Sequence, residues 1–176
     1  MKSVLRIRTY GWLAIVVLGV IPQALLASVI HGRVVGISDG DTIKVLDVAK
    51  QLHTVRLMGI DAPEKAQPFG QRSKQSLSEL IFQKKVTVTW EKKDKYGRTV
   101  GKILAATKDD ICLEQINRGM TWHCKQYAQE QSLQDRRAYA RAEDESRIQK
   151  MGLWQDPSPT PPWFWRQRHR PQPAVA

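Results

Sequence analysis

The chain has 176 residues, 28 Lys+Arg against 17 Asp+Glu, a formal charge of +11 and a hydrophobic share of 41%. These values suit one compact domain with short end segments and exclude a multidomain enzyme, a collagen-like repeat and a wholly disordered chain. The positive excess points to a polyanionic partner, nucleic acid first and an anionic membrane surface second.

The charge is spread unevenly. The first 27 residues hold Lys2, Arg6 and Arg8 with no acid, and residues 166–176 hold Arg166, Arg168 and Arg170 with none, so the part between is only moderately basic. Residues 1–10 are positive, Gly11 to Ile21 is an apolar run, and Pro22 to Ser28 resembles the end of a secretory signal. Residues 1–27 therefore read as an export signal of a periplasmic or secreted protein. The alternative is an uncleaved anchor that attaches the chain to the membrane through residues 1–30, since Gly11 to Ile30 is uncharged over about the length that crosses a bilayer core.

From Val29 the pattern changes to short runs rich in Val, Ile, Thr and Leu. Val29 to Ile37, Thr42 to Leu46 and His53 to Met58 predict three successive antiparallel strands, separated by turn-formers such as Ser38-Asp39-Gly40-Asp41. Leu77, Leu80 and Ile81 recur at helical spacing, which predicts a helix over Gln71 to Phe82. Val86 to Trp90 and Thr99 to Ala105 are two further strands, joined by a polar turn with Gly97 where positive φ is easiest. Ile111 to Arg118 predicts a short helix stopped at Gly119, and Ser132 to Met151 a longer charged helix with Gly152 as its C-terminal cap. Residues 156–176 are rich in Pro, Trp and Arg and are expected to be extended.

Three strands, a helix, two strands and two helices do not alternate as βαβ units do, which argues against a parallel nucleotide-binding sheet. The order fits an α+β, mainly β domain over residues 28–155: a five-stranded Greek-key barrel of the OB type with three helices. No apolar heptad or hydrophobic stripe calls for a partner copy, so the chain reads as a monomer.

Three clusters of charged residues fall at strand ends and turns, where a barrel brings distant side chains to one mouth. Asp39-Gly40-Asp41-Thr42 is a turn whose acids either ligate a hard cation or close Asx-turn hydrogen bonds. Asp61-Ala62-Pro63-Glu64 follows Arg56 by five residues; it either turns one carboxylate toward a metal and one toward water or is a surface loop with two acids. Asp94-Lys95-Tyr96-Gly97-Arg98 is either part of a site or an ordinary solvated charge run. Taken together, the carboxylates suit an oxygen-only Ca²⁺ or Mg²⁺ site, the two arginines suit a phosphodiester gaining charge, and a remaining Glu suits activation of water.

On these three motifs, in this order, the sequence resembles the staphylococcal nuclease (thermonuclease) family from about Val29 to Trp154. Gly152-Leu153-Trp154 resembles the family's ending, and Pro161-Pro162-Trp163-Phe164-Trp165-Arg166 a tail of bacterial members. The resemblance implies a calcium-dependent, sequence-nonspecific hydrolase of DNA and RNA that releases 3′-phosphate ends. By the same resemblance Asp41, Asp61 and the carbonyl of Ala62 would hold Ca²⁺, and Glu64 would position or activate the attacking water. Arg56 and Arg98 would clamp the scissile phosphate, with Lys95, Tyr96 and Tyr127 along the nucleotide. Ala62 stands where the type member has Thr, and Lys125 where a nucleotide-stacking tyrosine is expected. The competing reading is a catalytically silent OB-type module that only binds nucleic acid or mediates interaction; such copies lack the acids that this chain keeps.

The other candidates read plainly. His31, His53, His123 and His169 are too scattered for a transition-metal set, and Cys112 and Cys124 lie in no CxxC pair and allow at most one bridge. Trp90, Trp122 and Trp154 read as core or capping aromatics, while Trp163 and Trp165 either meet lipid or a partner or pack back on the barrel. Arg136, Arg137, Arg141 and Arg147 interleave with Glu143, Asp144 and Glu145 as a solvated helix face.

Overall fold

A computed structural model describes residues 28–169. The export signal expected over residues 1–27 and the tail residues 170–176 lie outside the described part. Strands β1 (Ser28–Ile37), β2 (Thr42–Asp47) and β3 (Leu52–Leu57) are followed by a two-residue strand β4 (Ile60–Asp61) and helix α1 (Gly70–Ile81). Then come β5 (Lys85–Lys93), β6 (Thr99–Ala105), α2 (Ile111–Asn117), β7 (Trp122–His123), α3 (Leu133–Ile148) and α4 (Pro162–Arg168).

The five long strands close a barrel in the order β1-β2-β3-β6-β5. Neighbours pair antiparallel except β3 and β6, whose parallel pairing sets Val55 against Thr99 and Arg56 against Val100. Register breaks between Val34 and Gly36 and between Trp90 and Lys92 bend β1 and β5, as a small barrel needs at its corners. The predicted barrel and all five of its strands are therefore present, to within a few residues at each end.

Alternation along the strands fills the barrel. Val34, Ile43, Val45, Val55, Val88 and Ile103 are fully enclosed, and Leu77 and Ile81 of α1 pack into the same core with Ile116 of α2 and Tyr139 of α3. Each such side chain contributes about 1.5–3 kcal/mol relative to an exposed position. Helix α2 starts where the Asp110 carboxylate accepts from the amides of Cys112 and Leu113. It stops at Gly119, whose φ of +63° lets Met120 donate to the Gln115 carbonyl. The predicted stop is thus correct. Cys112 and Cys124 are both free thiols.

Three expectations change. Helix α3 ends at Ile148, before Met151, because Lys150 turns left-handed with a φ of +52° and Met151 donates back to the Ser146 carbonyl. Its charged surface is not wholly solvated: α3 packs Tyr139, Ala142, Glu143 and Ser146 inward, and Glu143 is buried. Glu143 is kept tolerable there by the His123 amide at 3.1 Å, Lys125 at 2.8 Å and Arg147 at 3.5 Å. The tail is not extended throughout, since Pro162 at the first turn of α4 lets residues 162–168 form a fourth helix. Trp163 packs on Trp122 at 6.5 Å between ring centroids, and Trp122 on Trp154 at 5.4 Å, both edge to face. Among the described residues no helix is long and apolar enough to cross a membrane.

Candidate active site

The site forms at one mouth of the barrel from the β1–β2 turn, β3, β4 and the β5–β6 turn. The first of these is tight: Ser38 donates to the Thr42 carbonyl, and Asp41 donates its amide to the Asp39 carboxylate at 3.1 Å. Gly40 is required there by close approach, because a Cβ at that position would lie 2.8 Å from the Ala62 Cβ and closer still to Ser73. The amide of Leu57 donates to the Asp41 carbonyl at 2.8 Å, which ties the turn to the end of β3.

Arg56, on β3 opposite Thr42, reaches into this frame. Its Nη1 lies 3.0 Å from Asp41 Oδ2 and donates to the carbonyls of Ile60 at 2.9 Å and Leu57 at 3.2 Å. Its Nη2 donates to Asp61 Oδ1 at 3.0 Å. One guanidinium thus joins two carboxylates that are 20 residues apart in sequence and leaves both almost fully covered. Asp41 also accepts from the Ala62 amide at 2.7 Å and from the Thr42 hydroxyl at 3.0 Å.

The electrostatics follow from this crowding. Burial pushes the Asp41 carboxyl up to about 6, although Arg56 pulls it the other way. Burial also raises Asp61, against the hydrogen bond from Arg166 and the charge of Arg56. Burial works against the charge on Arg56, but Asp41 and then Asp61 outweigh it and hold the guanidinium above its ordinary value.

Arg98 closes the other side. Asp94 shapes the β5–β6 turn by accepting from the amides of Tyr96 at 2.9 Å and Arg98 at 3.0 Å, and its second oxygen takes Arg98 Nε at 2.7 Å. These bonds hold Asp94 below the usual carboxylate range despite partial burial. Arg98 Nη1 then extends to the Thr42 hydroxyl at 3.5 Å, beside Asp41. Tyr96 lies under Arg98, 5.5 Å from guanidinium carbon to ring centroid, and Lys95 sits over the same ring at 5.1 Å.

Of the residues singled out in the sequence, Asp41, Arg56, Asp61 and Ala62 meet in one network, and Arg98 adjoins it with Lys95 and Tyr96. Glu64 stands at the rim and enters through a residue that sequence reasoning did not place there. Arg166 of α4 donates to Asp61 Oδ1 at 3.2 Å and Oδ2 at 2.7 Å, and to Glu64 Oε1 at 2.7 Å. Tyr127 sits apart on a 3₁₀ turn over Lys125–Glu130, half exposed, with Lys92 over its ring at 5.9 Å. His123 is a buried residue bonded to Gln131 at 2.9 Å.

The chain is similar to nucleases of one family. The family model described as "Staphylococcal nuclease homologue" matches residues 54–156. The chain is 40% identical over 152 residues to an "Uncharacterized endonuclease" of Escherichia coli O157:H7, covering 86% of this chain and 95% of that relative. It is 40% identical over 144 residues to a "Micrococcal nuclease" of Shigella flexneri, covering 77% of this chain and 80% of the relative. Over 126 residues it is 32% identical to a "Probable staphylococcal-like nuclease CAN1" of Oryza sativa subsp. japonica, covering 70% of this chain and 35% of the relative. A family match over residues 54–156, with relatives 40% identical along most of the chain, shows that the chain belongs to the staphylococcal nuclease homologue family.

Proposed function

We propose that the protein is an exported, Ca²⁺-dependent nuclease that hydrolyses phosphodiester bonds of DNA and RNA without sequence preference and leaves 3′-phosphate ends. The observation that carries the reading is the bridge from Arg56 to Asp41 and Asp61 with Arg98 beside it. Relatives named endonuclease and micrococcal nuclease support a nucleic-acid substrate, and the positive excess of the chain favours approach of a polyanion.

The residues fit a hard divalent cation. Asp41 and Asp61 are buried carboxylates with the Arg56 guanidinium between them, and burial raises Asp41 to about 6 even beside that charge. Among the described residues no third Asp, Glu, His or Cys side chain completes a cage. Two carboxylates, the Ala62 carbonyl and water are a donor set that calcium accepts. When bound, the cation would supply charge to the phosphate oxygens and a template for the nucleophile.

The chain's own groups do the rest. Arg98 is the more open of the two arginines and is aimed to take a non-bridging phosphate oxygen, which gains charge as phosphorus becomes five-coordinate. Arg56 keeps the aspartates at a fixed separation and lends its charge from below. Glu64, at the solvent edge, orients a water and takes its proton. Lys95 and Tyr96 offer a cation and an aromatic face to the adjoining nucleotide, and Tyr127 offers a second ring farther along.

Digestion of plasmid, single-stranded DNA and RNA with Ca²⁺, with Mg²⁺ and with a chelator tests the reading. It predicts Ca²⁺-dependent cleavage of all three substrates with 3′-phosphate ends. Binding that weakens with salt, without cleavage in any condition, would leave a silent nucleic-acid-binding barrel instead.

A further inference from the structure

Arg166 lies outside the three motifs and beyond the matched residues 54–156, yet it makes more bonds to the acidic cluster than Arg98 does. Its guanidinium takes both oxygens of Asp61 and one of Glu64, the two groups assigned above to cation binding and water activation. Asp61 Oδ1 is thereby shared between Arg166 and Arg56, while Asp61 Oδ2 and Glu64 Oε1 are held by Arg166.

The placement of Arg166 is built from several contacts. The Gln67 side chain donates to the Thr160 carbonyl, Pro162 is buried, and Trp163 packs against Trp122. Trp122 is in turn paired with Asp61 across β7 and β4. The aromatic seat of α4 and the carboxylate that Arg166 grips therefore belong to one small sheet. The charge balance is as specific. Asp41, Asp61 and Glu64 face Arg56 and Arg166; withdrawing Arg166 leaves two negative charges uncompensated, the charge of one divalent cation. The contact is also open to competition, because the Arg166 side chain is 48% exposed and Glu64 40%, while Asp61 is 4% exposed.

We propose that α4 is a tethered gate: Arg166 holds Asp61, one of the two carboxylates assigned to the divalent cation, together with Glu64, and the cation loads by displacing it. The gate rests on the calcium reading given above. It keeps the carboxylates paired when calcium is scarce, and it releases Glu64 for a water when calcium is plentiful. Because the same guanidinium stabilises the empty site, cation affinity is set partly by a residue that never ligates the cation.

Isothermal titration of the full chain with Ca²⁺, free of nucleic acid and at fixed ionic strength, tests this in wild type, Arg166→Ala and Arg166→Lys. Hydrogen exchange of residues 162–169 with and without Ca²⁺ supplies a readout independent of activity. The gate predicts that Arg166→Ala tightens Ca²⁺ binding about tenfold, that Arg166→Lys falls between, and that Ca²⁺ reduces the protection of α4 in wild type. Equal or weaker binding by Arg166→Ala, with clear binding by wild type, would overturn the gate and leave the calcium reading standing. No binding by any of the three proteins would remove the calcium reading and the gate together.

Discussion

Arg56 Nη2 lies 3.0 Å from Asp61 Oδ1, and through its other nitrogen the same guanidinium reaches Asp41, so one side chain of β3 fixes the separation of two buried acids. Lysine carries the charge but not the fork. Arg56→Lys is expected to lose at least one of these bonds and to lower stability by about 2–4 kcal/mol, somewhat less than the roughly 3–5 kcal/mol for a broken buried pair because the charge is kept. Urea unfolding of the metal-free protein checks it, and a change under about 0.5 kcal/mol would mean that the bridge carries no structural load.

Asp110 joins three elements: it caps α2, accepts from the Tyr139 hydroxyl at 2.8 Å and faces Lys102 at 3.1 Å. Asp110→Ala removes all three contacts and should cost about 2–4 kcal/mol, whereas Tyr139→Phe removes one and should cost about 1 kcal/mol. Thermal midpoints of the two variants and of the double mutant would separate the cap from the hydrogen bond. Equal midpoints for the two single variants would show that the cap contributes nothing.

Two glycines with similar backbone angles should respond differently. Gly119 has φ +63° and a Cβ there would meet the Met151 carbonyl oxygen at 2.3 Å, while Gly97 has φ +78° and open space around it. Gly97→Ala should cost about 1 kcal/mol for the backbone alone, and Gly119→Ala about 2 kcal/mol more than that. Chemical denaturation of both variants reads the difference.

Protonation of Asp41 favours the metal-free fold. Its folded carboxyl is raised to about 6, above the ordinary 3.8, so the folded state keeps a proton that the unfolded chain has released. The associated stability is complete below about pH 4 and is lost as pH rises to about 6, on the order of 1–3 kcal/mol. Asp61 is raised by burial in the same direction. A pH series of unfolding free energies in chelator should show this fall, and Asp41→Asn should flatten it. An unchanged slope in the variant would assign the effect elsewhere.

The barrel was legible because its strands are dense in β-branched residues and are broken by Asp, Gly and Pro, which leave few other readings. The closing pair was not, since nothing local to Val55 or Thr99 announces a parallel partner. Strands β4 and β7 are two residues each and too short to carry a period, yet they place Asp61. Asp41, Asp61 and Arg98 stood out because acids and arginines cluster at turns. Arg166 did not, because its role depends on where Trp163 seats α4, which no spacing near residue 166 encodes. Glu143 was misread for a related reason: its neighbours in sequence are charged, but its neighbours in space are β7 and Lys125.

The central claim is that these residues hydrolyse phosphodiesters, and the most direct measurement compares turnover of the full chain with that of Glu64→Gln and Arg98→Ala in saturating Ca²⁺. Both side chains are partly exposed, at 40% and 29%, so thermal midpoints should stay within a few degrees of wild type. The account predicts losses of about a hundredfold or more in each variant with folding intact. Wild-type turnover in either folded variant would contradict the assignment of the site.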